Sequence, residues 1–114
     1  MGAPEAALSQ LRRGVLEHCV LALLEGRERY GYDLVAELSD AGLVASEGTV
    51  YPLLSRLRRD ALVDTTWRAS ADGPARRYYA LSPAGSRALA DFRTAWSGFA
   101  ASVSTILTPE GAPS

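Results

Sequence analysis

The sequence has no lysine, a single cysteine, a single histidine and no long apolar run. Each shortage removes a class of function. One cysteine, Cys19, excludes an intrachain disulfide and a cysteine-rich zinc site. His18 is its neighbour on a helical stretch, so the two cannot both point inward, and alone they supply too few ligands for a metal. No metal is expected, and Cys19 reads as a small buried apolar residue. No segment approaches the roughly 18–20 apolar residues that cross a bilayer, so a membrane is not an expected partner. The first residues, Met1 to Glu5, lack the basic-then-apolar layout of a secretion signal, which makes the cytoplasm the expected compartment. No glycine-rich phosphate loop precedes a helix, no triad grammar surrounds His18, and no metal-hydrolase pattern occurs. Neither enzymatic activity nor a cofactor is expected.

What remains is an ordinary globular composition. The 114 residues suit one domain. The 47% hydrophobic and 22% charged shares are those of a chain that buries a core. The net charge of −1, taken as an average, argues against nucleic acid, whose binders are often strongly basic. The average hides a division. Residues 1–45 carry four arginines and seven acids, residues 46–81 six arginines and four acids, and residues 82–114 two of each. Basic charge is concentrated in the middle, and every cation is an arginine, the planar fork that suits phosphate and guanine edges. The nineteen alanines that accompany the missing lysine make genomic base composition the plainer reason for its absence.

Hydrophobic spacing divides the chain further. Residues 1–7 read as a flexible N-terminal tail. From Leu8, the residues Leu11, Val15, Leu16, Cys19, Val20, Leu23 and Leu24 form one helical stripe that Gly26 ends. A second helix is predicted from Tyr32 to Asp40, closed by Gly42. A third opens at Ser46 as N-cap and buries Val50, Leu53, Leu54 and Leu57. Its opposite face carries Gly48, Pro52, Ser55 and Arg59, flanked by Thr49, Tyr51, Arg56 and Arg58. The period then changes to two. Val63 to Arg68 and Arg76 to Leu81 alternate like strands around the turn-forming Asp72-Gly73-Pro74, which makes a β-hairpin with Arg68, Arg76 and Arg77 at its tip and flanks. Ser82 and Pro83 start a last helix. Its apolar residues Leu89, Phe92, Trp96, Phe99, Val103 and Ile106 repeat every three or four positions, a coiled-coil-like seam. Residues 108–114 read as a second flexible tail.

Three helices, a hairpin and a helix predict a mostly α chain with a small β-hairpin. The architecture is a winged helix-turn-helix over residues 8–81 plus a long C-terminal dimerisation helix over 82–107. In that design the third helix enters the major groove and the hairpin, or wing, touches the backbone or the minor groove. Thr49, Tyr51, Ser55, Arg56 and Arg59 supply donors and acceptors for bases, and the wing arginines Arg76 and Arg77 supply phosphate contacts.

Three blocks carry a family likeness: Tyr30-Gly31-Tyr32-Asp33-Leu34, then Gly48 to Leu57 (Gly-Thr-Val-Tyr-Pro-Leu-Leu-Ser-Arg-Leu), then Arg76 to Gly85 (Arg-Arg-Tyr-Tyr-Ala-Leu-Ser-Pro-Ala-Gly). In this order, across about Leu11 to Leu107, the chain resembles the PadR family of bacterial transcriptional regulators, in its small subfamily with one C-terminal helix. The resemblance implies a homodimeric winged-helix repressor of a double-stranded DNA operator, built through its last and first helices and relieved by an inducer. Small members of the family take planar aromatic compounds at the dimer centre, where a tryptophan equivalent to Trp96 lines the pore. Where the family ends its third helix on an acidic residue and a glycine, this chain has Asp60 and Ala61.

Several residues keep two readings. Tyr30 and Tyr32 either meet phosphate through their hydroxyls or pack the second helix on the core. Pro52 is a feature of helix geometry before it is a contact. Of Tyr78 and Tyr79, on opposite faces of a strand, one belongs to the core. Phe92, Trp96 and Phe99, with Leu11, Val15, Leu89, Val103 and Ile106, form either a filled dimer seam or the lining of a ligand pore. A winged-helix protein-interaction module without specific DNA binding is the alternative function. The low overall charge predicts weak non-specific binding, so that affinity leans on the correct operator.

Overall fold

The computed structural model describes residues 2–44 and 47–110, and it is mostly helical with one small sheet. In chain order it contains α1 (Gly2–Arg13), α2 (Leu16–Leu23), β1 (Arg29–Tyr30), α3 (Gly31–Asp40), α4 (Glu47–Arg59), β2 (Val63–Ser70), β3 (Gly73–Leu81) and α5 (Pro83–Leu107). The order and the antiparallel hairpin are those of a winged helix-turn-helix with a long final helix.

The first predicted helix is divided in two. Gly14, which weakens a helix interior by its backbone freedom, lies at the break, and Val15 N–H bonds the Arg12 carbonyl at 3.2 Å in a tight i→i−3 turn. Residues 2–7 of the expected N-terminal tail are helical, since α1 begins at Gly2. Alanine at positions 3, 6 and 7 is the strongest helix former and extends the helix back into that segment. Ser46, the expected N-cap of the third helix, lies outside the described residues, as do residues 111–114 of the second expected tail.

The stripes read from the sequence converge on one core. Leu16, Val20 and Leu21 of α2 and Leu24 at its C-cap meet Leu34 and Leu38 of α3 and Val50, Leu53, Leu54 and Leu57 of α4, with Val63 and Tyr79 of the wing and Leu89 of α5 closing the cluster. The sheet order is β1-β3-β2. The hairpin pairs Val63 with Leu81, Thr65 with Tyr79 and Trp67 with Arg77, and its register shifts between Arg68 and Ser70 near the tip. The third strand, β1, was not expected. It is two residues long, too short to show a period, and pairs Arg29 with Tyr79 and Tyr30 with Tyr78.

A hydrogen-bonded junction follows α4. Leu62 N–H reaches the Leu57 carbonyl at 2.9 Å and Ala61 N–H the Arg58 carbonyl at 3.0 Å, the paired bonds that close a helix on a left-handed residue. That residue is Ala61, at φ 61°, in the place where the family pattern has glycine. The helix end is therefore kept without the glycine, at a cost of about 1–2 kcal/mol for a Cβ in this region. Ser82 then ties the junction together. Its hydroxyl donates to the Ala61 carbonyl at 2.7 Å and accepts from Gly85 N–H at 3.0 Å, while its own N–H bonds the Leu62 carbonyl at 3.1 Å. A Cβ on Gly85 would collide with the Leu62 carbonyl oxygen.

From this junction α5 runs out over 25 residues, about 37 Å at 1.5 Å per residue. The radius of gyration is 16.7 Å, against about 13 Å for a compact chain of this length. The distal half of α5, which has no buried residue beyond Leu89, contributes to that excess.

Two substitutions test the junction by urea unfolding. Ala61→Gly relieves the left-handed alanine and raises stability by about 1 kcal/mol. Gly85→Ala forces the start of α5 away from Leu62 and lowers it by about 1–3 kcal/mol. Unchanged midpoints in both would show that the junction carries no strain and no packing limit.

Candidate nucleic-acid interface

The exposed face of α4 is the one the sequence assigns. Val50, Leu53, Leu54 and Leu57 are buried, and Thr49, Tyr51, Pro52, Ser55, Arg56 and Arg59 are on the surface. Pro52 lies inside the helix and removes the N–H that would reach the Gly48 carbonyl. Thr49, Pro52, Ser55, Arg56 and Arg59 line one wall of an open groove of about 560 Å³. Tyr51 has a different role. Its ring lies against Gly31 and beside Tyr79, close enough that a Cβ on Gly31 would be 3.2 Å from it. Partial burial, before the neighbouring phenols and Glu47, raises its pKa, so the hydroxyl stays a donor at neutral pH.

The other wall of the groove was not read from the sequence. It comes from the end of α1 and the start of α2, with Ser9, Arg12, Arg13, Leu16 and Glu17. Glu17 accepts a hydrogen bond from Arg56 at 3.2 Å across the groove. No local pattern marks these residues, because what joins them to α4 is the crossing of two helices distant in sequence.

The wing divides its arginines between its two faces. Successive strand residues point to opposite sides, so Thr65, Trp67, Arg77 and Tyr79 share the inner face, and Thr66, Arg68, Arg76 and Tyr78 share the outer one. Tyr79 is buried, which makes it the core tyrosine of the pair. Past the edge of the core the inner face continues into solvent, where the Arg77 guanidinium lies 4.6 Å from the centre of the Trp67 ring, itself 61% exposed. On the outer face Arg76 covers Tyr30 at 4.9 Å and Arg68 covers Tyr78 at 5.5 Å. Tyr30 packs on Tyr78 with ring centres 5.8 Å apart, so its ring is committed to the sheet, whereas Tyr32 is largely exposed. Arg68 also pairs with Glu28. The structure thus brings Thr49, Ser55, Arg56 and Arg59 together, and separates Arg76 from Arg77.

The aromatic row of α5 begins inside the chain. Leu89 is 2% exposed and belongs to the core of its own chain, which removes it from any exposed seam. A repeat of period 3.5 gives no sign of where the core ends. Beyond Leu89, Phe92 stacks on His18 of α2 at 4.0 Å with an 8° interplanar angle, and Trp96 stacks on Phe92 at 5.7 Å. Trp96, Phe99, Val103 and Ile106 are exposed, as is Leu11 of α1, while Val15 is half-buried. Cys19 is a half-buried free thiol whose pKa is raised by burial. No helix of the described residues is long and apolar enough to cross a membrane.

The family described as Transcriptional regulator PadR-like matches residues 20–91. Transcriptional regulator Rv3488 of Mycobacterium tuberculosis is 38% identical over 88 residues, which span 77% of this chain and 81% of that relative. A PadR-like transcriptional regulator from Bacillus cereus has a similar crystal structure, with a TM-score of 0.79 and 37% identity over 89% of this chain and 99% of that one. A PadR family transcriptional regulator from Eggerthella lenta gives a TM-score of 0.81 at 31% identity, over 95% of this chain and 93% of that one.

The two faces of the wing give a test of its register. In a double-mutant cycle read by urea unfolding, Arg77→Ala and Trp67→Ala couple by about 0.5–1 kcal/mol, the worth of an exposed cation–π pair. Arg76→Ala and Trp67→Ala add independently. Equal coupling in both cycles would contradict the strand pairing.

Proposed function

The chain belongs to the PadR-like family of transcriptional regulators, and from that premise we propose that it is a ligand-responsive homodimeric repressor of a pseudo-palindromic operator. It is a DNA-binding regulator and not an enzyme. In this reading residues 8–81 form the DNA-binding part, and residues 82–107 the dimerisation helix. The protein works in the cytoplasm, where its operator is.

The observation that carries the reading is the face of α4, where Thr49, Ser55, Arg56 and Arg59 line one open groove. The short hydroxyls offer bases the donors and acceptors that direct readout needs, and the guanidinium forks suit a base edge or a phosphate. The wing supports phosphate contact through Arg76 and Arg77, and Tyr32 adds an exposed hydroxyl at the start of α3. Two copies would hold their reading helices about one helical turn apart, roughly 34–36 Å, to match a two-fold site.

The exposed row Trp96, Phe99, Val103 and Ile106 supports the homodimer, because one chain leaves it in water. An apolar helical face of this kind is covered by a second copy in a symmetric, self-complementary interface. The stack of Phe92 and Trp96 supports a planar aromatic inducer at the same interface, since flat rings accept another ring in offset stacking.

Three experiments test the proposal. A mobility shift on the DNA upstream of the gene shows a specific complex that weakens steeply with salt. Arg56→Ala combined with Arg59→Ala removes it, and no specific shift at low salt on any flanking DNA would refute operator binding. Sedimentation gives twice the monomer mass for the wild-type protein and the monomer mass for Phe99→Asp. Planar aromatic compounds quench tryptophan fluorescence, and Trp96→Ala removes most of that response; intact binding in this variant excludes Trp96 as the ligand platform.

A further inference from the structure

The groove beside the reading helix carries more positive charge than the reading helix brings to it. Arg12 and Arg13 stand on the α1 side, Arg56 and Arg59 on the α4 side, and Glu17 is the one carboxylate among the described lining residues. Its apolar lining includes Leu16, Val44 and Leu53, each nearly buried. A low-dielectric floor of this kind strengthens the field of charges held above it. Arg12 is anchored, with one guanidinium nitrogen donating to the Gly42 carbonyl past the end of α3 at 3.3 Å. Its Nε–H is shielded from water and has no partner among the described residues, so any phosphate contact falls to its terminal guanidinium nitrogens. Arg13 makes no ion pair among the described residues.

We propose that this groove is a phosphate seat for duplex DNA, in which one sugar–phosphate strand runs between α1 and α4, held by Arg12 and Arg13 on one side and by Arg56 and Arg59 on the other. Glu17 holds Arg56 in the free protein and releases it as the strand enters. The inference rests on the operator-binding reading and extends it to a helix outside the reading helix and the wing. The ion pair that must open is inexpensive. Arg56 and Glu17 are 48% and 32% exposed, and such solvated pairs contribute at most about 1 kcal/mol. A phosphate offers the guanidinium a charge-assisted, two-pronged partner in exchange. Arginines in the last turn of α1 also offset the negative end of that helix, but that role stabilises the protein without adding a DNA contact, and the two roles differ in their response to salt.

The test uses the full chain and a duplex containing the operator, with fluorescence anisotropy titrations at several salt concentrations. Four guanidinium groups leave a dimeric complex in the double variant Arg12→Ala, Arg13→Ala. Its plot of log affinity against log salt is then shallower by about 3–4, and its affinity near physiological salt falls by tenfold or more. Glu17→Gln binds more tightly than wild type at every salt concentration, because Arg56 no longer has a charged competitor. Wild-type affinity and slope in the double variant would overturn the seat and leave operator binding intact. So would weaker binding with an unchanged slope, which marks a structural effect. If Glu17→Gln binds no more tightly, the release of Arg56 is refuted. If the wild-type chain itself shifts no flanking DNA, the operator reading fails and the seat with it.

Discussion

The arrangement of the chain depends on one small hydrogen-bonded junction. The end of α4, the first residue of β2, the last of β3 and the first turn of α5 meet around Ser82. Its hydroxyl bridges the Ala61 carbonyl and the Gly85 N–H, and its N–H holds the Leu62 carbonyl. Gly85 lies so close to Leu62 that no side chain fits between them. Buried polar groups of this kind are costly to unpair, and Ser82 is only 6% exposed. The reading helix, the wing and the long helix are therefore fixed relative to one another within a few residues. A rotation of α5 about this point carries α4 with it unless these bonds break. The contact between α2 and α5 works in the same direction, because His18 stacks on Phe92 and Glu25 accepts a hydrogen bond from Arg93 at 2.9 Å. In the proposed dimer, a change in the spacing of the two α4 helices is then more cheaply made between chains than within one.

Charge follows a second rule. The concentration of arginine in the middle of the sequence suggests a basic surface, yet much of that charge is engaged inside the chain. Arg56 pairs with Glu17 and Arg68 with Glu28, while Arg68, Arg76 and Arg77 lie over aromatic rings. Exposed pairs are weak, so they do not hold the fold together. They do set the orientation of long side chains and give each guanidinium a partner that a nucleic acid must replace. Where a phosphate takes the place of such a partner, the gain is reduced by the contact given up, by at most about 1 kcal/mol for each exposed pair.

The elements that could be read from the sequence are those whose period is long enough to register. The buried stripe of α4 is complete at Val50, Leu53, Leu54 and Leu57, and the same spacing located its exposed face. The alternation Val63, Thr65, Trp67 gave the strand, and Ser82-Pro83 gave the start of α5. The period ceased to inform where burial changes along an element. Trp67 continues the inner face after the core has ended, and Leu89 continues the α5 seam before the exposed row has begun. β1 has two residues and no period at all. Gly14 is the type of single glycine that a helical pattern tolerates, and only the turn at Val15 shows that it breaks one. The α1 wall of the groove is a matter of tertiary crossing, to which neither spacing nor composition is sensitive.

The aromatic row shows what local pattern and packing achieve together. Its first ring, Phe92, is held face to face by His18, and its second, Trp96, is stacked on the first at an interplanar angle of 16°. Beyond it Phe99 and Ile106 are 63% and 83% exposed, against 43% at Trp96 and 37% at Val103. Ordering a side chain on binding costs about 0.5–1.5 kcal/mol when the chain is free to rotate. For Phe92 and Trp96 that cost is largely met within the single chain, by packing that extends from the core through α2. For Phe99 and Ile106 it is not. Whatever covers the row meets a rigid platform at its inner end and adaptable apolar side chains at its outer end. Flat, rigid surface favours a ring that must stack, and adaptable surface favours a helix that must interdigitate, so the inner and outer parts of one helix face are suited to different occupants.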